Sequence, residues 1–318
     1  MVEIGIMIEG QEDLTWERFF RLAEAVEGLG FSSLFRSDHL IALQGFRHRA
    51  SLALWPSLTA LALRTKRIRF GPMVSPMTFR HPAMVAKMAA AVDELSGGRL
   101  DLGLGAGWFA GEHKMFGLDY PAYPVRLELL EEGVQVIRGL WSGQPFSFKG
   151  KHYQIDAAET HPGPAQREPA IIMGGKGDKT LQIVARYASE WNCSYVGVGT
   201  FREKSGQLDE KCRATGREPS TLRRSIMIPF VIGADDRAVE QRISAQRQTF
   251  PSLPAAHSDW LAAGFLGGSP AQLIDQMSGF VEAGAQRFML QHNDLDDLDS
   301  LAFLSSEVLP YFHPASDG

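Results

Sequence analysis

Residues 68–107 read IRFGPMVSPMTFRHPAMVAKMAAAVDELSGGRLDLGLGAG, and this order of apolar and breaking residues leaves the chain few folds. Ile68–Val74 is an apolar run short enough for a buried strand. Pro82–Leu95 carries helical spacing, Ser96-Gly97-Gly98 ends it, and Leu100–Leu104 alternates again as a strand. A helical crossover between two strands makes them parallel, and parallel strands are buried on both faces. The second strand runs out in Gly103, Gly105 and Gly107, so backbone can approach a ligand at its carboxyl end, where α/β folds place their sites.

The same alternation recurs along the chain. Ile4–Ile8 predicts a strand and Thr15–Leu29 an amphipathic helix, with Thr15 as N-cap and Gly30 beyond its end. Ser33–Phe35 predicts the second strand, ending at Arg36-Ser37-Asp38-His39. Pro56–Arg64 follows as a helix, Arg67–Val74 as the third strand, and Arg126–Trp141 as a long helix. Residues 142–168 break the rhythm with turn-formers around short aromatic alternations, which predicts a hairpin lying over the barrel rather than a barrel strand. Ala170–Met173, Tyr195–Val198, Arg224–Ile232 and Arg287–Leu290 supply the last four strands. Lys179–Ala188, Phe201–Thr215 and Pro270–Gly284 are the helices between them. Eight strand-then-helix units predict an α/β (β/α)8 TIM barrel. A doubly wound sheet would not usually need eight alternations. A chain of 318 residues suffices for one such domain spanning 1–318, with insertions at about 142–168 and 235–268.

Composition narrows the function classes. A formal net charge of −5 argues against a nucleic-acid or anionic-membrane partner, and no apolar run approaches the ~20 residues of a membrane span. Two cysteines, Cys193 and Cys212, give neither a disulfide framework nor a metal-ligand pair and fit a reducing compartment. MVEIGIMIEG is expected to enter a strand directly, without the basic leader of a signal peptide. The expectation is a cytoplasmic globular protein acting on a small molecule, with no metal.

Three segments could carry chemistry. Asp38-His39 falls where the second strand meets its loop; a histidine there can exchange a proton near neutral pH, or the pair can tie the loop to the rim. Gly103, Gly105 and Gly107 do not complete G-x-G-x-x-G, so a dinucleotide site of that type is not expected. Gly174-Gly175-Lys176-Gly177-Asp178-Lys179-Thr180 joins a glycine-terminated strand to a helix start, where free N–H groups, the helix dipole and a lysine suit a phosphate. It could equally be a tight turn, and it is not a Walker loop. Trp191-Asn192 could line the pocket or be core. Glu112 and His113 read as surface residues, Arg126 with Glu131 and Glu132 as a surface ion-pair set, Met84 and Met88 as core, and Asp294–Asp299 as a solvated face. Pocket walls are expected from the loops Ala42–Arg49, Gly143–Arg167 and Thr249–Gly268.

SDHL (Ser37–Leu40), FRHPAMVAKMAAAVDELSGGRLDLGLGAGW (Phe79–Trp108), RLELLEEGVQVIRGLW (Arg126–Trp141) and IIMGGKGDKTLQIVARYASEWN (Ile171–Asn192) resemble, in order, the luciferase-like monooxygenase superfamily, most closely its branch of F420-dependent oxidoreductases. The resemblance implies a luciferase-like barrel that binds coenzyme F420, with FMN as the alternative. It assigns His39 as the catalytic residue, with Asp38 bonding the cofactor or orienting the imidazole. It implies a non-proline cis peptide beside Val74, with Met73, Val74 and Ser75 backing the ring. Ala106 and Gly107 would contact the ring through backbone, with Trp108 beside them, and Gly174, Gly175, Lys176 and Gly177 would hold the phosphate. Trp108 departs from the glutamate that sugar-phosphate dehydrogenases of this group carry there, which implies an apolar or aromatic substrate. With F420 the reaction is hydride transfer; with reduced FMN it is a two-component monooxygenation. The resemblance also implies a homodimer and a flavin or F420 reductase supplying reduced cofactor. A non-catalytic flavin-binding protein is a second class. A sugar-phosphate lyase or isomerase is a third, weakened because Lys176 is the one evident lysine at a strand end.

Overall fold

A computed structural model of the chain describes residues 2–44 and 48–312; residues 45–47 of the expected Ala42–Arg49 pocket loop lie outside the described residues. In chain order the strands are β1 (Glu3–Ile8), β2 (Ser33–Arg36), β3 (Arg69–Pro72), β4 (Ser75–Pro76), β5 (Leu102–Gly105), β6 (Phe146–Lys149), β7 (Gln154–Ala158), β8 (Ile171–Gly174), β9 (Glu190–Ser194), β10 (Arg223–Ile232), β11 (Leu266–Gly268) and β12 (Arg287–Gln291). The helices are α1 (Trp16–Gly28), α2 (Leu54–Arg64), α3 (Pro82–Leu95), α4 (Ala110–Phe116), α5 (Tyr123–Leu140), α6 (Asp178–Tyr187), α7 (Val198–Ala214), α8 (Asp236–Thr249), α9 (His257–Ala262), α10 (Pro270–Glu282), α11 (Leu298–Glu307) and α12 (Leu309–Phe312).

The main sheet is parallel and runs β3-β2-β1-β12-β10-β9-β8-β5-β4. Its two ends are halves of one strand, parted at Met73 and Val74, so the sheet curls into a nearly closed TIM barrel. The predicted strand Arg67–Val74 is therefore two pieces, and Phe70 bridges Leu100 beside the gap. The sixth strand is Glu190–Ser194, upstream of the predicted Tyr195–Val198. Polar residues hid it: Glu190 pairs with arginines at the barrel base, and Asn192 donates to Ser225 Oγ at 2.9 Å. Tyr195, at φ 53°, turns the chain out of the strand.

Local chemistry fixes the elements that carry the rim. Thr15 caps α1 by accepting from the Arg18 amide, and Ser269 with Gln272 forms a capping box on α10. Pro82 opens α3, where its missing N–H costs nothing. The 142–168 insertion is the expected antiparallel hairpin, but it packs on the outer side of α5 instead of over the barrel. Phe146 fills the space above Gly139, where a Cβ would come within 2.1 Å of the ring, and Glu132 accepts from the amides of Lys151, His152 and Tyr153. In the 235–268 insertion, β11 lies against β10. Arg49 donates to Thr249 O at 2.8 Å, joining the loop after β2 to that insertion.

The lumen is filled in layers. At the base, Arg287 reaches Glu3 at 2.7 Å, Asp101 at 3.0 Å and Glu190 at 3.2 Å, an ion cluster sealed by Arg69 and Arg223. Above it lie Met7, Phe35, Met73, Ile172, Met227 and Met289. Unbranched thioethers suit this tapering space because they adapt to irregular gaps. Both cysteines are free and buried, and burial pushes the Cys193 thiol up to about 11, an inert state. Among the described residues no helix is long and apolar enough to cross a membrane, and no histidine, cysteine and carboxylate group could hold a metal.

Candidate functional site

The carboxyl ends of β2, β3, β5 and β8 bring the predicted site residues to one mouth. Its center is Val74, whose peptide bond to Met73 is cis, as the resemblance implied. The Val74 methyls occupy space that glycines leave open. A Cβ on Gly103 would lie 3.2 Å from Cγ1 and one on Gly105 2.6 Å from Cγ2, whereas one on Gly174 would make only an ordinary contact with Cγ1. The glycines at these strand ends therefore accommodate the split third strand. Gly107, at φ +77°, turns the chain beside it, where a Cβ would come within 2.9 Å of Thr78 Oγ1.

The glycine loop after β8 leads into α6 with Gly177 at the N-cap. Gly175 sits at φ +124°, and its missing side chain clears Thr180, whose Cγ2 would be 2.8 Å from a Cβ. The Gly175 amide is already spent on Asn192 O at 3.3 Å, so the expectation that Gly174–Gly177 all offer amides is corrected. The open donors shift one turn onward, to the amides of Gly177, Asp178 and Lys179 at the positive end of α6. The acid at that end, Asp178, is offset by Lys211. Tyr123 Oη stands 3.0 Å from Thr180 Oγ1 and overhangs the loop. Lys176 is exposed and donates to Ser194 O at 3.3 Å.

Asp38 and His39 part company at the end of β2. The Asp38 carboxylate is buried and engaged by Ser75 Oγ at 2.8 Å and by both terminal nitrogens of Arg80. Orienting the imidazole is left to another acid. His39 instead bonds through Nδ1 to Glu112 Oε1 at 2.9 Å, and Glu112 Oε2 accepts from the Leu40 amide at 3.0 Å. The His39 side chain keeps 13 % of its surface exposed, and Trp108, 66 % exposed, meets its ring edge-on at 5.6 Å. Burial disfavors a charged imidazole here, but the Glu112 bond and charge outweigh it, with Glu9 and Asp38 adding, so the His39 pKa is raised.

Glu112 and His113 are thus fully buried, which corrects their reading as surface residues. They ride on α4, a helix the sequence pattern did not predict. His113 locks it in place by donating from Nδ1 to Phe109 O at 2.8 Å and accepting the Thr78 hydroxyl at 2.7 Å. Arg126 is no surface ion pair either: its guanidinium lies 3.9 Å over the Tyr120 ring, while Glu131 pairs with Arg186. Met84 is exposed, Met88 packs on the core, and Asp296 and Asp297 are held by Arg18, Arg21 and Arg242 rather than freely solvated. Trp191 is core, stacked on Phe201 and donating to Gly175 O at 2.7 Å. On the far rim, Tyr195 donates to Gln291 at 2.6 Å, and Gln291 and Gln11 donate to Glu9. Glu112, Tyr123 and the Tyr195–Gln291–Glu9 string escape sequence reasoning because their pairings cross tens to hundreds of residues.

The profile described as luciferase-like monooxygenase matches residues 2–287. An F420-dependent hydroxymycolic acid dehydrogenase of Mycobacterium tuberculosis is 28% identical over 321 residues, 96% of this chain and 87% of the relative. An F420-dependent glucose-6-phosphate dehydrogenase of Microbacterium testaceum is 35% identical over 308 residues, 89% of this chain and 90% of the relative. Among solved structures, an F420-dependent secondary alcohol dehydrogenase superposes with a TM-score of 0.84 at 22% identity, covering 97% of this chain and 98% of its own.

Proposed function

We propose, from the premise that this chain belongs to the luciferase-like monooxygenase family, that it is a single-domain F420-dependent oxidoreductase moving hydride to or from an apolar small organic substrate. The observation that carries the reading is the cradle around Val74: the glycines of β5 clear it, and the open amides of α6 begin one loop away. That cradle suits a flat ring with a phosphate tail. Val74, Ala106 and Gly107 would back the ring with Met73, Ser75 and Trp108 near it, and the amides from Gly177 to Lys179 would hold the phosphate, with Lys176 adding charge. When bound, F420 supplies a two-electron hydride donor or acceptor. His39 would hold or move the accompanying proton at Nε2. Trp108 presents an exposed indole beside His39, and this apolar surface supports an apolar substrate.

The second reading, an FMN-dependent two-component monooxygenase, is favored by the family description itself and uses the same ring and phosphate contacts. Either form would work as a cytoplasmic homodimer, with reduced cofactor supplied by a separate reductase. Titration of the protein with F420 and separately with FMN, followed by cofactor fluorescence, tests the choice. Micromolar or tighter F420 binding with weak FMN binding is expected. The reverse preference would turn the reading to the monooxygenase, and binding of neither would overturn both.

A further inference from the structure

Beyond the cofactor cradle, the mouth contains a buried acid whose hydrogen-bond partners among the described residues are one imidazole and one backbone amide. Glu112 spends Oε1 on His39 Nδ1 and Oε2 on the Leu40 amide, so a single carboxylate fixes both the side chain and the backbone of the segment leaving β2. It is delivered rigidly. On either side of α4, His113 ties the helix to Phe109 and Thr78, the Leu118 amide returns to His113 O at 2.8 Å, and Tyr120 Oη donates to Trp108 O at 2.7 Å.

This geometry decides which nitrogen of His39 is free. A carboxylate only accepts, so Nδ1 carries its hydrogen toward Glu112. Nε2 makes no hydrogen bond among the described residues, and it is not one of the buried atoms sealed from solvent without a partner. We propose that Glu112 is a positioning residue, holding His39 in the Nδ1–H form so that Nε2 is the atom through which the imidazole exchanges protons at the barrel mouth. The inference rests on the reading of His39 as the proton-exchanging residue. Uptake of a proton at Nε2 gives an imidazolium whose Nδ1–H stays on Glu112; release returns the neutral ring with the same hydrogen bond intact.

The charges facing His39 are few. Glu112 approaches from α4, Glu9 from the loop after β1, and Asp38 from the adjacent position, where Arg80 largely neutralizes it. Glu9 is in turn tied to Gln11 and Gln291. Of these, Glu112 is the carboxylate in contact with the ring.

Nitrogen-15 NMR of the full-length, cofactor-free protein with labeled histidine tests the proposal without reference to activity. His39→Gln assigns the His39 signals. The neutral wild-type ring is expected to show protonated Nδ1 and unprotonated Nε2, with a titration midpoint above that of a free histidine. Glu112→Gln keeps an acceptor and removes the charge, so the midpoint should fall by roughly one pH unit or more. In a cofactor-loaded assay kcat should fall roughly 10–100-fold with cofactor affinity unchanged, and the acidic limb of the pH profile should move down with the midpoint. A wild-type ring protonated on Nε2, or a midpoint unmoved in Glu112→Gln, overturns the proposal. The wild-type spectrum decides even where the variant fails to fold. Absence of F420 and FMN binding would instead defeat the functional reading and leave the NMR result standing.

Discussion

Val74 and Gly105 share one volume: a Cβ on Gly105 would lie 2.6 Å from Val74 Cγ2. The two positions cannot both carry full side chains while the third strand keeps its path. Gly105→Ala should therefore cost about 1–3 kcal/mol of stability through overpacking. The double variant with Val74→Ala should recover much of that loss. Urea unfolding of the three variants checks it, and additive losses would show that the positions do not compete.

Gly175→Val should abolish phosphate-dependent cofactor binding while the barrel stays folded. The position needs φ +124°, and a Cβ would press on Thr180, the residue that Tyr123 also touches. Circular dichroism should remain native-like as fluorescence-detected F420 affinity falls by at least about tenfold, or about 1.4 kcal/mol. Unchanged affinity would move the phosphate elsewhere.

His39→Ala should separate chemistry from binding. The imidazole touches the mouth through Nε2 but takes no part in the glycine loop, so kcat should fall about 10²–10⁴-fold with the cofactor Kd nearly constant. Steady-state kinetics beside a cofactor titration reads both quantities, and equal loss in the two would make His39 a binding residue.

Acid should destabilize the protein through His292. This ring lies against Phe230 with Nε2 unpartnered, and burial pulls its pKa down to about 4. The folded value lies below the unfolded one near 6.5, so the neutral ring's contribution is complete above pH 6.5. It is lost as pH falls toward 4, by roughly 3 kcal/mol in all. Denaturant midpoints across that range should decline in the wild-type protein and decline less in His292→Phe. Parallel slopes would remove His292 as the cause.

The periodicity of apolar runs made the barrel legible, because a parallel strand and an amphipathic helix each write their burial into local spacing. That signal failed where burial is satisfied by pairing. Glu190 and Asn192 look unlike strand residues until the arginines and Ser225 on neighboring strands are known, and α4 is too short and too polar to announce itself. The loops that frame the mouth were visible as glycines and a His after a strand. Which acid would orient that His was not: Asp38 is its neighbor in sequence, yet Arg80 and Ser75 claim it, and Glu112, 73 positions on, takes its place.

The methionine layer beneath the mouth carries a liability of another kind. Met7, Met73, Met227 and Met289 put four thioethers under Val74, and one of them, Met289, already receives the Asn192 amide at 3.5 Å. Conversion of any of these sulfurs to a sulfoxide would place a polar, differently shaped group in a space fitted to soft hydrocarbon. Exposed Met84 and Met115 would meet peroxide first; oxidation that reached the buried layer would disturb the floor beneath Val74 while the outer helices kept their packing.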